Sequence, residues 1–518
     1  MFVRRKRNPS GIVSIQVIDK STGKYRVLKT MGSSSDPVKE EELYQQGLHW
    51  IEVYGGQLNL FPERKQEVLA IREQESTLRI LSNIDNILIN GTQLILDKVF
   101  ELVGFNAIKD DVLRQLVVSR LCQSSSKSGT VDYLKSHYDE DVNLSKIYRY
   151  LDKLYNTQQD KIQQISVAHT RKILGGRIGI VFYDVTTLYF ETDYNDELRQ
   201  SGFSKDGKHS QPQIVLGLLV SMDGYPLAYS IFNGSQYEGY TMIPVVEDFV
   251  RRFELEDFVV VADSGLMNGK NIALLESGGY KYIIGARIKN ENREVKSWIL
   301  SLEKQDKSFY EYTHSDGSRL IVGYSITQAK KDAYNREKGI RRLEKAYSSK
   351  GAITKENINK RGYNKFLDID SNVKGVINHD KIEEDKQWDG LKGYLTNTPL
   401  SPDSVCNQYN GLWIIERSFR VTKGTLEVRP MFHFSPRRIQ AHVCICFAAY
   451  KVYKELERIL RLKGISLSAE KVLDRAKTIT TIKIRLPQSR RVISKTMLIT
   501  TRHKLIEPLF TDDFWVYL

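Results

Sequence analysis

The spacing of hydrophobic and polar positions changes several times along the chain, and each change predicts a different kind of structure. Near the N-terminus, apolar and polar residues alternate over 11–18 and over 25–28, with Gly23 in the short segment between them. Two runs of period two around a glycine-containing turn are typical of a β-hairpin. We therefore predict a basic β-hairpin arm over residues 1–36.

From residue 37 to 175 the apolar positions recur with helical spacing instead. The clearest runs are 78–103 and 112–122, and a further helix is predicted from Asn143, which can cap it, to Leu151 after a serine-rich break. The region is therefore predicted to be mainly helical. Its helix–break–helix segment fits a DNA-binding helix-turn-helix as well as an ordinary helical pair.

Short and strongly apolar segments replace this pattern after residue 176 and predict a mixed α/β sheet. The predicted strands cover 179–183, 214–220, 225–232, 258–262 and 282–286, with a helix over about 268–275 before the last of them. Residues 290–385 differ, because two predicted strands are followed by a highly charged helix and a polar segment. We interpret 176–289 and 386–462 as the two halves of one core, separated by an insertion over 290–385.

The charge balance indicates a polyanionic partner. The chain has 77 Lys and Arg against 63 Asp and Glu, a net charge of +14, and such an excess favours nucleic acid. Nine basic residues and no acidic one lie between Arg475 and Lys504. We therefore assign 463–518 to a basic C-terminal region, in which Arg490 and Arg491 are candidate phosphate contacts.

Composition excludes several other classes of protein. No run of 18 apolar residues is present and the basic N-terminus is not followed by an apolar segment, so neither a membrane span nor a secretory signal is expected. The four cysteines form no Cys-x-x-Cys pair, which argues against a disulfide framework and a zinc site. No phosphate-binding glycine-rich loop is found, so no nucleotide cofactor is expected. We expect a cytoplasmic protein.

Two aspartates are candidate metal ligands. Asp184 and Asp263 each follow a short apolar strand, where side chains of an α/β sheet meet ligands. Carboxylates in such a position can bind Mg²⁺, although aspartate also commonly begins a turn. Glu191 and Asp193, close after the first strand, are alternative ligands.

A helix predicted over 402–427 carries the third candidate. Four polar side chains fall within an arc of about 60° on such a helix: Tyr409, Glu416, Arg420 and Lys423. An acid, two bases and an aromatic ring on one face can bind a metal and phosphates. A solvent-facing i,i+4 ion pair between the acid and the first base is the other interpretation.

Together these motifs resemble the DDE transposases of bacterial insertion sequences, in the group that carries a Tyr-Arg-Glu-Lys signature. Segment 183–187 (Tyr-Asp-Val-Thr-Thr) is similar to the motif of the first aspartate, and 260–265 (Val-Val-Ala-Asp-Ser-Gly) to that of the second. Glu416 and Lys423 have the spacing of the signature, and Tyr409 has the position of its tyrosine.

The signature arginine is the departure from the family pattern. Leu412 occupies its position, and Arg420 is the residue that we expect to replace it. The resemblance covers about 175–460. It implies a ribonuclease H-like core with a mainly β insertion before the helix of Glu416. The spacing agrees, because 153 positions separate Asp263 from Glu416, which is far more than a core crossover needs.

The resemblance also implies the chemistry. Two Mg²⁺ or Mn²⁺ ions would be held by Asp184, Asp263 and Glu416, while Tyr409, Arg420 and Lys423 would contact DNA phosphates. The partners would be double-stranded DNA, both the terminal inverted repeats of an element and its target. The family further implies a homodimer on paired ends and, in a bacterium, a cytoplasmic protein associated with the nucleoid.

Other functions fit parts of the same sequence. A ribonuclease H-like DNA nuclease would use identical carboxylates without joining strands. A DNA-binding protein that has lost catalysis would account for Leu412. A glycosidase with paired carboxylates is disfavoured by the positive charge. His209 and His433 are candidate bases outside the carboxylate motifs.

Overall fold

The structure is a computed structural model of the chain. It describes residues 1–9, 11–54, 62–203, 210–255, 257–266, 268–350, 362–369, 375–424, 431, 433–486 and 489–515. The chain divides into two compact units, one formed by 1–86 with 483–494 and the other by 87–482 with 495–518. None of the helices described has both the length and the apolar character that a membrane crossing requires.

The N-terminal residues form a three-stranded antiparallel sheet. Its strands are β1 (Phe2–Arg7), β2 (Val13–Asp19) and β3 (Arg26–Ser34), in the order β1–β2–β3. The helices α1 (Pro37–Tyr54) and α2 (Pro62–Ser82) follow, and α1 packs on the sheet through Leu43 and Trp50. The predicted hairpin is confirmed as β2 and β3. The first strand, β1, was not predicted, because its basic residues 4–7 are consecutive and show no alternation of apolar and polar positions.

A helical region precedes the central sheet. It comprises α3 (Gly91–Val103), α4 (Asp111–Cys122), α5 (Lys127–Tyr138), α6 (Leu144–Thr157) and α7 (Gln159–Ile173). The prediction of one helix over 78–103 is wrong, because β4 (Ile84–Leu88) separates α2 from α3. The strand forms because Ile84–Leu88 pairs with a second strand at Thr480–Arg485, and the carbonyl of Asn83 accepts a hydrogen bond from the Arg485 amide.

The central sheet begins with five strands and two covering helices. These are β5 (Ile180–Tyr189), β6 (Gln213–Ser221), β7 (Pro226–Asn233), α8 (Met242–Phe253), β8 (Val259–Ala262), α9 (Gly269–Ser277) and β9 (Lys281–Ala286). The first three strands are antiparallel, whereas β5, β8 and β9 are parallel neighbours. Consequently the carboxyl ends of β5, β7, β8 and β9 lie at one edge of the sheet.

The insertion extends this sheet. Its elements are α10 (Arg293–Ser301), β10 (Phe309–Thr313), β11 (Arg319–Tyr324), α11 (Ile326–Lys350), β12 (Leu367–Ile369), β13 (Gly375–Ile377), α12 (His379–Lys386) and β14 (Leu391–Thr396). The complete strand order is β10–β11–β14–β9–β8–β5–β6–β7, and β12 pairs with β13. The predicted mixed α/β sheet is confirmed.

The C-terminal part supplies helices that cover the sheet. They are α13 (Pro402–Asn410), α14 (Trp413–Lys423), α15 (Pro436–Leu462) and α16 (Ala469–Ala476), followed by β15 (Thr480–Arg485), β16 (Val492–Met497) and α17 (Thr501–Lys504). The strands β16, β15 and β4 form a small sheet in that order. Most of α15 is buried, and it packs against α3, α4, α6, α7 and α14.

Candidate active site

Two aspartates lie side by side at one edge of the central sheet. In the parallel pair β5 and β8, Tyr183 lies opposite Ala262, so Asp184 and Asp263 are the next residues on both. Because adjacent strands are about 4.8 Å apart, the two carboxylates belong to the same site. The prediction that the first strand ends at Asp184 is wrong, since β5 continues to Tyr189 as the antiparallel partner of β6.

Tyr409 completes the surroundings of the second aspartate. Its hydroxyl donates a hydrogen bond of 3.1 Å to Asp263 Oδ1, and the Ser264 amide donates one of 2.7 Å to the same oxygen. The Tyr409 ring packs on Tyr394, with 4.6 Å between centroids. A Cβ atom at Gly285 would collide with the Tyr409 hydroxyl. A glycine in β9 is therefore what allows this side chain to reach the carboxylate.

The charges of both aspartates act on the Tyr409 hydroxyl. Burial raises the pKa of Tyr409 above its usual value, and the negative charges of Asp263 and Asp184 raise it further. The hydroxyl therefore stays protonated at neutral pH and acts as a donor. Both hydrogen bonds that Asp263 accepts from described residues fall on Oδ1, which leaves Oδ2 for a cation.

Arg287 is a site residue that the sequence analysis missed. It follows β9, and its exposed guanidinium donates hydrogen bonds to the backbone oxygens of Ser264, at 3.1 Å, and Gly265, at 3.5 Å. A positive charge is thus fixed beside the loop of Asp263. A signal was available, because Arg287 follows the buried strand β9 just as Asp263 follows β8, and parallel strands end at a common edge.

Glu416 lies on the first turn of α14 with an exposed side chain. The prediction of one continuous helix over 402–427 is wrong, because a turn at Gly411 and Leu412 separates α13 from α14. A Cβ atom at position 411 would lie 2.5 Å from the Phe182 ring, so the chain approaches β5 there too closely for a larger residue. Tyr409 and Glu416 therefore belong to different helices, and the single-helix arc does not describe them.

The basic residues of α14 lie further along the same helix. Arg420 is exposed, and it lines a cavity of about 1180 Å³ together with Arg120 and Lys477. Lys423 is partly buried in the last turn. Leu412, at the position of the signature arginine, is 9% exposed and belongs to the core. A charged residue in the conformation of Leu412 would lose its hydration, which explains an apolar side chain there.

Arg490 and Arg491 lie in the other compact unit. Both are exposed in the turn that joins β15 to β16, and Arg490 has a φ of 53°. The backbone of this turn is closed by hydrogen bonds between Leu486 and both arginines.

The alternative candidates have different surroundings. Glu191 and Asp193 are exposed just after β5, and His209 lies outside the described residues. His433 is buried beside His442, with 5.2 Å between ring centroids. Burial lowers the pKa of His433 to about 3, and the charges of Lys127, Arg120 and Arg438 contribute to the lowering, so the imidazole is neutral at pH 7.

The two adjacent aspartates fit a hard divalent cation, because they offer carboxylate oxygens from neighbouring strands. Within the described ranges, no group of three or more His, Cys, Asp and Glu side chains is arranged to hold a metal ion. The structure thus brings Asp184, Asp263 and Tyr409 together, but it does not gather Glu416 with the aspartates into such a group.

Residues 175–451 match the model of the transposase DDE domain. A search of curated protein sequences found no significant match. Among solved structures, the chain is similar to a piggyBac transposase synaptic complex with hairpin DNA, at 10% identity and a TM-score of 0.39 over 74% of this chain and 70% of that one. It is also similar to a Mos1 transposase paired-end complex with the left transposon end, at 10% identity and a TM-score of 0.16 over 33% of this chain and 57% of that one.

Proposed function

Because the chain belongs to the transposase DDE domain family and is a DDE-type DNA transposase, we propose that Asp184 and Asp263 are its paired catalytic aspartates and Glu416 its third carboxylate. The observation that carries this assignment is the position of the two aspartates at the same level of two parallel strands. Three carboxylates brought together without a cation repel one another. Glu416 is therefore proposed to join the aspartates only when cations are bound.

The proposed reaction is cleavage at the ends of an insertion sequence, followed by attack of the freed 3′ ends on target DNA. When bound, two Mg²⁺ or Mn²⁺ ions supply activation of the attacking water or 3′-hydroxyl and stabilisation of the leaving oxygen. Tyr409 holds Asp263 in one orientation through Oδ1, so that Oδ2 keeps a fixed direction. Arg287 places its charge beside the Asp263 loop, where it favours binding of a phosphate.

The remaining basic residues are proposed to follow the DNA backbone. Arg420 and Lys423 extend from the helix of Glu416, and Arg490 and Arg491 present two exposed charges in the β15–β16 turn. Phosphate contacts of this kind make affinity depend steeply on salt. We further propose a homodimer on paired ends, and double-stranded DNA of a bacterial nucleoid as the site of action.

A plasmid that carries the reading frame with its native flanking DNA provides the test. Incubation of the full chain with this donor, a supercoiled target and Mg²⁺ or Mn²⁺ should give cleavage at both ends and covalent donor–target products, whereas EDTA should abolish both. Cleavage without joined products would instead indicate a nuclease. Salt-sensitive binding without cleavage in either metal would indicate a protein that has lost catalysis.

Substitution Tyr409→Phe is expected to weaken binding of the catalytic metal ions without preventing folding. Loss of the hydroxyl removes one of the two hydrogen bonds to Asp263 Oδ1 and leaves that of the Ser264 amide, and removal of such a supporting hydrogen bond typically lowers metal affinity or activity about 10- to 100-fold. We expect the Mg²⁺ concentration for half-maximal cleavage to rise accordingly. Tyr394→Phe is the matched control, because it keeps the ring pair and removes a hydroxyl that contacts Cys406 instead of a carboxylate. Equal Mg²⁺ curves for both variants would contradict this role.

A further inference from the structure

The N-terminal sheet has two faces of different character. Successive side chains of a strand point to opposite faces, and one face of this sheet packs on α1 through Ile15 and Val17. The other face, which we call the polar face, carries two rows of polar residues that each cross all three strands: Arg4–Gln16–Thr30 and Lys6–Ser14–Ser33. Polar side chains at six paired positions therefore form one continuous surface.

The polar face is accessible, and its central arginine is held in place. Lys6 and Thr30 are exposed. The Arg4 guanidinium donates a hydrogen bond of 2.8 Å to Gln16 Oε1, and both side chains are partly exposed. Because this bond uses the amide oxygen of Gln16, the pair is fixed in one orientation and offers its other N–H groups as donors.

The two faces differ in how their positive charges are compensated. On the helix side, Arg5 pairs with two glutamates of α1, Glu40 at 3.3 Å and Glu41. The only acidic residue of the three strands is Asp19, at the end of β2. Within the three strands, neither basic residue of the polar face pairs with an acid. The polar face therefore presents positive charge, which favours a polyanion.

The dimensions and side chains of the polar face suit the major groove of DNA. Neighbouring strands are about 4.8 Å apart, so three strands span about 10 Å, and the major groove is about 12 Å wide and admits β-structure. Arginine donates two hydrogen bonds to guanine O6 and N7, the commonest specific contact of a protein with a base. A surface that only follows phosphates does not require a fixed arginine–glutamine pair.

We propose that the polar face enters the major groove of duplex DNA and recognises base edges there, with Arg4, held by Gln16, in contact with a guanine. The proposal rests on the proposed function and deepens it, because it names the part of the chain that distinguishes the ends of the element from other DNA. It assigns base recognition to a sheet, whereas the sequence pattern indicated a helix-turn-helix in the helical region as a candidate.

Binding of the full-length chain to two duplexes tests the proposal. One duplex is the DNA that directly flanks the reading frame, and the other contains the same bases in shuffled order. Both are measured in EDTA at one salt concentration, because phosphate contacts depend on salt. We expect the wild-type chain to prefer the flanking duplex. Arg4→Ala should reduce that preference about tenfold, as for loss of one guanine contact, while affinity for the shuffled duplex stays within about twofold.

A guanine analogue identifies the contact on the DNA. Replacing guanines of the flanking duplex one at a time with 7-deazaguanine removes the N7 acceptor from the major groove and leaves base pairing intact. At one position we expect wild-type binding to weaken about fivefold, as for loss of one hydrogen bond. The same analogue should add no further loss to Arg4→Ala, since both changes remove one interaction. The wild-type measurement does not depend on how the variant folds, and no loss at any guanine would overturn the contact.

Arg5→Ala is the matched control. It removes the same charge from the next residue, on the helix side of the sheet, so we expect an unchanged preference. Equal losses of affinity for both duplexes in Arg4→Ala would indicate a phosphate contact and overturn base recognition. If Arg4→Ala keeps the preference, or the wild-type chain cleaves its donor without preferring the flanking duplex, the polar face alone fails. A wild-type chain that neither prefers its flanking DNA nor cleaves its donor refutes the proposed function as well.

Discussion

Replacing Asp184 with asparagine is expected to abolish metal-dependent cleavage while DNA binding is retained. The substitution keeps the shape of the side chain but removes the charge and one strong cation ligand. Metal-ion catalysis supplies several kcal/mol of stabilisation to the transition state. Because each 1.36 kcal/mol corresponds to a factor of ten, the rate should fall by about 10³-fold or more. The same result is expected for Asp263→Asn, since the two residues occupy equivalent positions on neighbouring strands.

Substitutions of other acidic residues test whether Asp184, and not a neighbour in the chain, is the metal ligand. Asp193→Asn changes an exposed aspartate a short distance after β5, and we expect near-normal cleavage from it. Glu416→Gln tests the third carboxylate in the same assay. Normal cleavage by Asp184→Asn together with loss of cleavage in Asp193→Asn would indicate that Asp193 is the metal ligand. Loss of DNA binding in parallel with cleavage would instead point to a folding defect.

Replacing Glu455 with glutamine is expected to give a large loss of stability. Glu455, 1% exposed, accepts hydrogen bonds from Arg458 at 2.6 and 2.9 Å and from the Tyr225 hydroxyl at 2.9 Å. The Lys451 ammonium, fully buried one turn earlier, lies 4.3 Å from the centroid of the Tyr225 ring. The substitution leaves the guanidinium of Arg458, which is only 17% exposed, without its carboxylate partner, so we expect the free energy of unfolding to fall by about 3–5 kcal/mol.

The same network predicts an acid limit to stability. Burial raises the pKa of Glu455, but hydrogen bonds from Arg458 and His169 outweigh that effect and lower it to about 2. A carboxylate whose pKa is lower in the folded than in the unfolded chain stabilises the fold above its unfolded value. That contribution is lost as the pH falls from about 4.5 through about 2.

Urea unfolding at several pH values measures both effects. Wild-type stability should decrease over that acidic range, and Glu455→Gln should lack this component of the decrease. Glu457→Gln is the matched control on the same helix. Its carboxylate is 18% exposed and pairs with Arg417 and Lys454, so we expect a loss of about 1 kcal/mol. Equal losses for both variants would contradict the role assigned to the buried network.

Local sequence pattern was sufficient to find the strands at the aspartates, although β5 continues past Asp184 to Tyr189. The apolar segments before Asp184 and Asp263 are largely buried, and a continuous run of apolar residues indicates such strands directly. The family motifs then indicated which acids matter. Pattern failed where pairing with a strand distant in sequence decided the structure. Over 78–103 the apolar residues suited a helix, but pairing with β15 favours a strand at Ile84–Leu88.

By itself, therefore, the sequence determined the α/β fold and indicated the candidate acids, because burial of one face of a strand or helix produces a periodic pattern of apolar residues along the chain. Only the tertiary structure decided which polar groups meet. Tyr409 reaches Asp263 because β9 offers a glycine at 285 and because α13 ends at Asn410. Arg287 reaches the Asp263 loop because β8 and β9 are parallel neighbours whose carboxyl ends lie side by side. Such contacts depend on the order of strands that are far apart in sequence, and no local periodicity indicates them.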